Sequence, residues 1–193
     1  MTKRLTEQDY VSAASILGVE LAAVKAVCEV ESRGNGFLPT GEPVILFERH
    51  WMYKLMKRKG LTPPPNSPVA MMKSGGYVGG QGEHKRLQEA VLLDRESALQ
   101  SCSWGLFQIM AFHWEGLGYP TLQSFINAMY KDERSQLDAF IRFIIKDQRM
   151  HRALKTKDWA LFAAAYNGPA YSRNAYHIKM KAAYEKYKTM QGK

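Results

Sequence analysis

The chain has 193 residues, 46% of them hydrophobic and 11% aromatic, enough to bury a core and too much for wholesale disorder. Eight prolines and 15 glycines are ordinary usage, which excludes collagen-like and low-complexity architectures. The net charge of +9 is unevenly spread: residues 1–130 carry 13 basic and 12 acidic side chains, residues 131–193 carry 14 and six, so the last third points to an anionic partner such as nucleic acid, an anionic membrane or a cell-wall polymer.

The pattern predicts helices along most of the chain, a mainly α fold in one domain over 1–193. Thr6 is a suitable N-cap with Asp9 three residues on, and the first helix should stop at Gly18. A second helix from Val19 to Ser32 places Leu21, Val24, Val27, Cys28 and Val30 at apolar positions, with Gly34 and Gly36 beyond its end. Cys28 and Cys102 make no disulfide framework and read as reduced, buried hydrophobes. The basic N-terminus has no apolar core of a signal peptide, and no apolar run approaches the roughly 18 residues of a membrane span. Residues 37–47, FLPTGEPVILF, break the helical pattern and predict a small hairpin or extended lobe, followed by a helix from Glu48 to Arg58. Residues 60–82 form a Pro/Gly-rich loop, read as a surface lobe or groove wall, where Tyr77 can stack on a sugar face. Helices are predicted over 83–100, 103–112, 121–129, 133–148, 158–165 and 172–188.

Three segments carry chemistry. In Glu29-Val30-Glu31-Ser32-Arg33-Gly34, a carboxylate ends an apolar helix. The negative end of the helix dipole and partial burial both push such a carboxyl upward, as a general acid requires. In Ser103-Trp104-Gly105-Leu106-Phe107-Gln108-Ile109, an amide flanked by apolar residues on a short helix must find partners, either a substrate N-acetyl group or the backbone. In Ala165-Tyr166-Asn167-Gly168-Pro169, a phenol and an amide stand at one helix end, although Asn-Gly also serves as a plain helix stop. The five histidines show no metal-ligand spacing and no phosphate-binding glycine loop occurs, so no metal and no cofactor are implied. His113-Trp114 can line a groove, and Lys179, Lys181, Lys186 and Lys188 on the last helix interleave with Tyr176, Tyr184 and Tyr187 as either a solvated face or an anion-attracting one.

Taken together and in this order, the three segments resemble the goose-type lysozyme and lytic transglycosylase superfamily. The stretches EVESRGNGFLPTGEPVILFERHWMYK, SALQSCSWGLFQIMAFHWEGLGY and DWALFAAAYNGPAYSRNAYHIKMKAAYEKY resemble more closely the phage endolysin N-acetylmuramidase domain, over roughly residues 19–188. The resemblance implies a lysozyme-like helical fold and cleavage of the β-1,4 bond between N-acetylmuramic acid and N-acetylglucosamine in peptidoglycan. It matches Glu31 to the catalytic acid, Ser32 to a neighbour that orients it, and Gln108, Tyr166 and Asn167 to groove positions. In the transglycosylase relatives that Tyr helps to hold the catalytic carboxyl or the N-acetyl group.

One position departs from the family. Nine residues after the catalytic Glu the family has Asp in an Asp-Gly-Arg-Pro turn, and here the turn reads Thr40-Gly41-Glu42-Pro43. Glu42 takes that role, or Glu48 from the following helix, or no second carboxylate is needed, with Thr40 positioning a water. An inverting hydrolase uses an acid and a base about 6.5–9.5 Å apart around that water. A single-carboxylate enzyme lets a substrate group attack and releases a 1,6-anhydro product. Hydrolysis is the favoured expectation, a lytic transglycosylase the first alternative, and a non-catalytic basic protein binding cell wall or nucleic acid the second. A monomer is the default for a groove enzyme on a polymer, and no nucleic-acid partner is expected. The chain is expected to wait in the host cytoplasm until a holin releases it to the periplasm and wall, with the basic C-terminal helix drawn to the anionic envelope.

Overall fold

The computed structural model describes residues 3–32 and 34–191 and divides into two compact units, Met1–Gly34 with Leu137–Lys193, and Asn35–Gln136. The fold is mainly α, with one small antiparallel sheet.

The first unit is helical. It contains α1 (Glu7–Leu17), α2 (Leu21–Glu31), the part of α7 (Glu133–Lys146) from Leu137 onward, α8 (Gln148–Thr156), α9 (Trp159–Asn167) and α10 (Tyr176–Gln191). Helix α1 starts and stops where its sequence directs: the Thr6 N–H donates to the Asp9 carboxylate at 2.8 Å, and Gly18 closes the helix at φ 63°. Helix α2 packs most extensively against α10. The buried residues of α2 include the small Ala22, Ala23 and Ala26, and those of α10 are Met180, Ala183 and Tyr184. Polar side chains complete the seam. Lys186 pairs with Glu29 at 2.5 Å, and Tyr184 donates to Glu20 at 2.7 Å. Asp147 caps α8, a helix absent from the predicted set, and Lys157 ends it at φ 58°. Cys28 and Cys102 are both free and buried, and burial pushes both thiols up, well away from thiolate chemistry.

The second unit holds β1 (Ile45–Phe47), α3 (Arg49–Arg58), α4 (Gln81–Val91), α5 (Arg95–Gln100), β2 (Cys102–Trp104), β3 (Ile109–Met110) and α6 (Leu122–Lys131). The strands lie in the order β1-β2-β3, with Ile45 opposite Trp104, Phe47 opposite Cys102 and Trp104 opposite Ile109. The predicted helix over 103–112 is therefore corrected to a β-hairpin with a short 3-10 turn after it, and the single helix over 83–100 to α4 and α5 with a break at residues 92–94. Both hairpin corners require left-handed backbone, Gly105 at φ 70° and Gln108 at φ 51°, which a helix cannot contain. Gly105 is needed for space as well, because a Cβ there would lie 2.5 Å from Gln136 Cδ. Gln136, almost fully buried, accepts from the Leu106 N–H at 2.7 Å and donates to the Met129 carbonyl at 2.8 Å. An apolar run that reads locally as helix is thus folded back by a side chain 30 residues away.

The expected lobe over 37–47 is present. Phe37 bridges Pro43, the Leu38 N–H donates to the Glu42 carbonyl at 2.8 Å, and Gly41 turns the chain at φ 89° before β1. The Pro/Gly-rich segment contains no regular element between α3 and α4, yet its second half is firmly tied. Arg49 donates to the carbonyls of Lys73 at 2.8 Å and Ser74 at 3.0 Å. The fully buried Glu83 accepts from the N–H groups of Val78 at 2.7 Å, Gly79 at 3.0 Å and Phe47 at 3.0 Å, and pairs with Arg86 at 2.7 Å. Burial alone would raise the Glu83 carboxyl, but those N–H groups and Arg86 outweigh it and hold it below its ordinary value. Glu83 therefore stabilises the fold above the ordinary carboxylate range, and that contribution fades as the pH falls through it. Glu83→Gln leaves Arg86 buried without its counter-charge and is expected to cost about 3–5 kcal/mol, read as a lowered denaturant midpoint at neutral pH, with the difference from the parent narrowing in acid.

Candidate active site

Glu31 is the last residue of α2, and the Ser32 N–H that follows it donates to the Cys28 carbonyl at 2.9 Å. The apolar sequence of α2 carries this carboxyl to a position where only 9% of the residue is exposed. Asn167 ends α9, and its Nδ2 donates to Glu31 Oε1 at 2.8 Å. Asp158 caps the start of α9 by accepting from the Leu161 N–H at 3.0 Å, and Gly168, at φ 76°, ends the helix directly after Asn167. Burial pushes the Glu31 carboxyl up to about 7, and the Asn167 hydrogen bond offsets only part of that rise. A carboxyl of that strength is still half protonated at neutral pH and can give a proton to a leaving oxygen.

Tyr166, the residue before Asn167, packs edge-on against Phe140 at 5.4 Å and Phe143 at 5.8 Å and stacks on Phe162 at 6.2 Å. These contacts set the ring that precedes the Asn167 amide. Ser32 is half-buried and lines a cavity of about 370 Å³ with Tyr10, Cys28 and Tyr187; among the described residues its hydroxyl makes no hydrogen bond to Glu31. Arg33, in the same motif, lies outside the described residues.

The remaining predicted residues belong to the second unit. At the tip of the 37–43 hairpin, the exposed Thr40 hydroxyl donates to Glu42 Oε2 at 3.3 Å. Gln81, first residue of α4, donates its side-chain amide to both Thr40 Oγ1 and Glu42 Oε2. That amide, together with His84 and Thr40, outweighs slight burial and holds the Glu42 carboxyl below its ordinary value. Glu48 caps α3 and belongs to a different cluster, where its Oε2 accepts from the Tyr77 hydroxyl at 2.8 Å and lies 3.1 Å from His50 Nδ1. Gln108 is committed to its own turn: it accepts from the Ser103 hydroxyl at 2.8 Å and donates to the carbonyls of Gly105 at 2.9 Å and Val44 at 3.3 Å.

The structure thus joins Glu31 with Asn167, and Thr40 with Glu42, and it gives Glu48 and Gln108 local partners of their own. Sequence reasoning missed Gln81. Its only signal is a position directly after Gly79-Gly80 at a helix start, and the contact spans 41 residues. Among the described residues no cluster of three or more His, Cys, Asp or Glu can hold a metal ion.

The crystal structure of the Burkholderia AP3 phage endolysin superposes with a TM-score of 0.95 at 46% identity, over 99% of this chain and 73% of that one. No curated protein matches the sequence. The family model described as Muramidase, N-acetylmuramidase, matches residues 20–188, a span that contains the Glu31, Thr40 and Asn167 segments together. By that match and that likeness, this chain belongs to the N-acetylmuramidase family.

Proposed function

We propose that this chain is a peptidoglycan-degrading endolysin that hydrolyses the β-1,4 bond between N-acetylmuramic acid and N-acetylglucosamine. The observation that carries the reading is Glu31, a buried carboxyl raised to about 7 and oriented by Asn167. In the proposed reaction Glu31 gives its proton to the glycosidic oxygen as the C1–O bond breaks, and a water adds to C1 and gives up a proton. Thr40 and Glu42 are assigned to that water, because Glu42 is held ionised and Thr40 offers an acceptor beside it. Glu48 is the weaker choice, since its carboxylate already serves Tyr77 and His50. Asn167 positions the acid. Tyr166 and Ser32 are assigned to the sugar beside it, and Gln108 shapes the chain near β1 from within its own turn. We read the chain as one functional domain, since the family match runs through both units. A monomer is the form suited to a polymer substrate.

A basic surface draws the enzyme to the anionic envelope once a holin has released it from the host cytoplasm. On α10 Lys186 is neutralised by Glu29, so Lys179, Lys181 and Lys188 are the side chains assigned to that attraction. One observation favours a second reading. The hairpin tip carries Thr40, where the family resemblance leads one to expect Asp, and an enzyme without a base there can release 1,6-anhydro products as a lytic transglycosylase.

Mass spectrometry of muropeptides from purified peptidoglycan separates these. Reducing muramic ends are expected with the wild type and none with Glu31→Gln. Products lighter by one water would establish the transglycosylase, and binding without products from either protein would leave a non-catalytic wall binder. Thr40→Val and Glu42→Gln are each expected to lower kcat by about tenfold or more with little change in KM.

The activity should have an alkaline limb near pH 7, because Glu31 must be protonated to act. The same shift has a stability consequence with a definite sign. The folded carboxyl holds its proton up to about 7 against an ordinary value of 4.5, so the fold loses stability as pH rises through that window. Glu31→Gln removes the loss and is expected to gain about 2–3 kcal/mol at pH 7 and nothing below pH about 4, checked by denaturant unfolding at both pH values.

A further inference from the structure

We propose that Gln81 is a positioning residue for the attacking water, its amide locking the Thr40 hydroxyl and the Glu42 carboxylate into one hydrogen-bonded triad. This rests on the reading that Thr40 and Glu42 handle the water. The contacts of the triad assign a role to each polar atom. Thr40 has a single hydroxyl hydrogen, and it is directed at Glu42 Oε2. Gln81 Nε2 fills one lone pair of Thr40 Oγ1 and also donates to Glu42 Oε2. Two acceptors are then left without a protein donor among the described residues: the second lone pair of the exposed Thr40 oxygen, and Oε1 of the half-buried Glu42. A water seated there can only point its hydrogens inward, toward Thr40 and Glu42. Its own lone pair is turned outward, the orientation a nucleophile needs. Without Gln81 the Thr40 hydroxyl is free to rotate and present its hydrogen instead, and the water loses its orientation.

The placement of Gln81 is itself built. Gly79 and Gly80 precede it at φ 74° and 51°, and a Cβ on either would meet nothing within 4 Å, so it is the left-handed backbone and not crowding that calls for glycine. Two residues after Gln81, Glu83 accepts from the N–H groups of Val78 and Gly79 and so anchors the loop that delivers it. The charged and titratable groups facing Glu42 are His84, on the same helix as Gln81, and Tyr130 on α6. Neither depends on Gln81. His84 Nε2 lies 2.8 Å from the Pro43 carbonyl.

The test is Gln81→Leu, a change at an exposed position, followed by carbon NMR of the Glu42 carboxyl against pH and by kcat and KM against pH on purified peptidoglycan. Loss of the amide is expected to move the Glu42 titration upward, to move the acid limb of kcat with it, and to lower kcat by about tenfold with KM nearly unchanged. A titration that does not move, or one that moves while the rate profile stays in place, overturns the proposal. Thr40→Val and Glu42→Gln, measured alongside, separate the two levels. Loss of activity in both with full activity in Gln81→Leu sinks the role of Gln81 alone. Wild-type activity in both sinks the water-handling reading, and this role with it.

Discussion

The carboxyl of Glu31 stands where both the end of a helix and burial oppose its charge, and among the described residues it accepts one hydrogen bond, from the Asn167 amide. A single hydrogen bond of this kind orients the carboxyl without ionising it. An arginine or a set of backbone N–H groups in the same place would have turned Glu31 into a permanent anion. Glu83 shows that outcome in the same chain, with three N–H groups and a guanidinium holding a fully buried carboxyl below its ordinary value. Glu83 is the more buried of the two and still the one held ionised, so the donors decide which is an acid and which is a structural anchor.

The helical unit is arranged to keep that balance. Glu29 lies two residues before Glu31, and left as a free anion it would add repulsion to a carboxyl already raised by burial. Lys186 and the Tyr187 hydroxyl occupy it instead. Glu20 at the other end of α2 is likewise met by Lys157 and Tyr184. Part of the positive charge concentrated after residue 130 is thus paired with the carboxylates at the two ends of α2, although neither lysine side chain is buried. These exposed pairs contribute little to stability individually. Among the described residues, Glu31 is then the carboxyl of α2 that pairs with no cation, while Glu29 is held by Lys186.

The helical frame was legible because its rules are local. The Thr6 capping box, the Gly18 stop and the apolar face of α2 all follow from residues within a few positions of one another. So does the placement of Glu31 and Asn167 at helix ends, whereas their meeting across 136 residues is visible only in the fold. The stretch around Gln108 was misread because its determinant is remote. Seven mostly apolar residues look helical until Gln136 fills the space beside Gly105 and binds the Leu106 N–H. The triad of Thr40, Glu42 and Gln81 was half visible for the same reason, since hairpin neighbours share a turn and Gln81 reaches them only through the fold.

The anchoring of residues 73–80 has a bearing on how this chain tolerates change in length. Arg49, Glu83 and Arg86 grip that segment at successive carbonyls and N–H groups from Lys73 to Gly79, so each residue there is counted. The run of prolines at 63–65 precedes the first of these grips. Insertions or deletions near the prolines shift slack chain on the surface, whereas a single residue added after Lys73 slides Tyr77 off Glu48 and Gln81 off the hairpin together. Natural length variation in homologous chains should therefore collect around the mostly exposed residues 61–66 and stop before the buried Ser67, Val69 and Ala70.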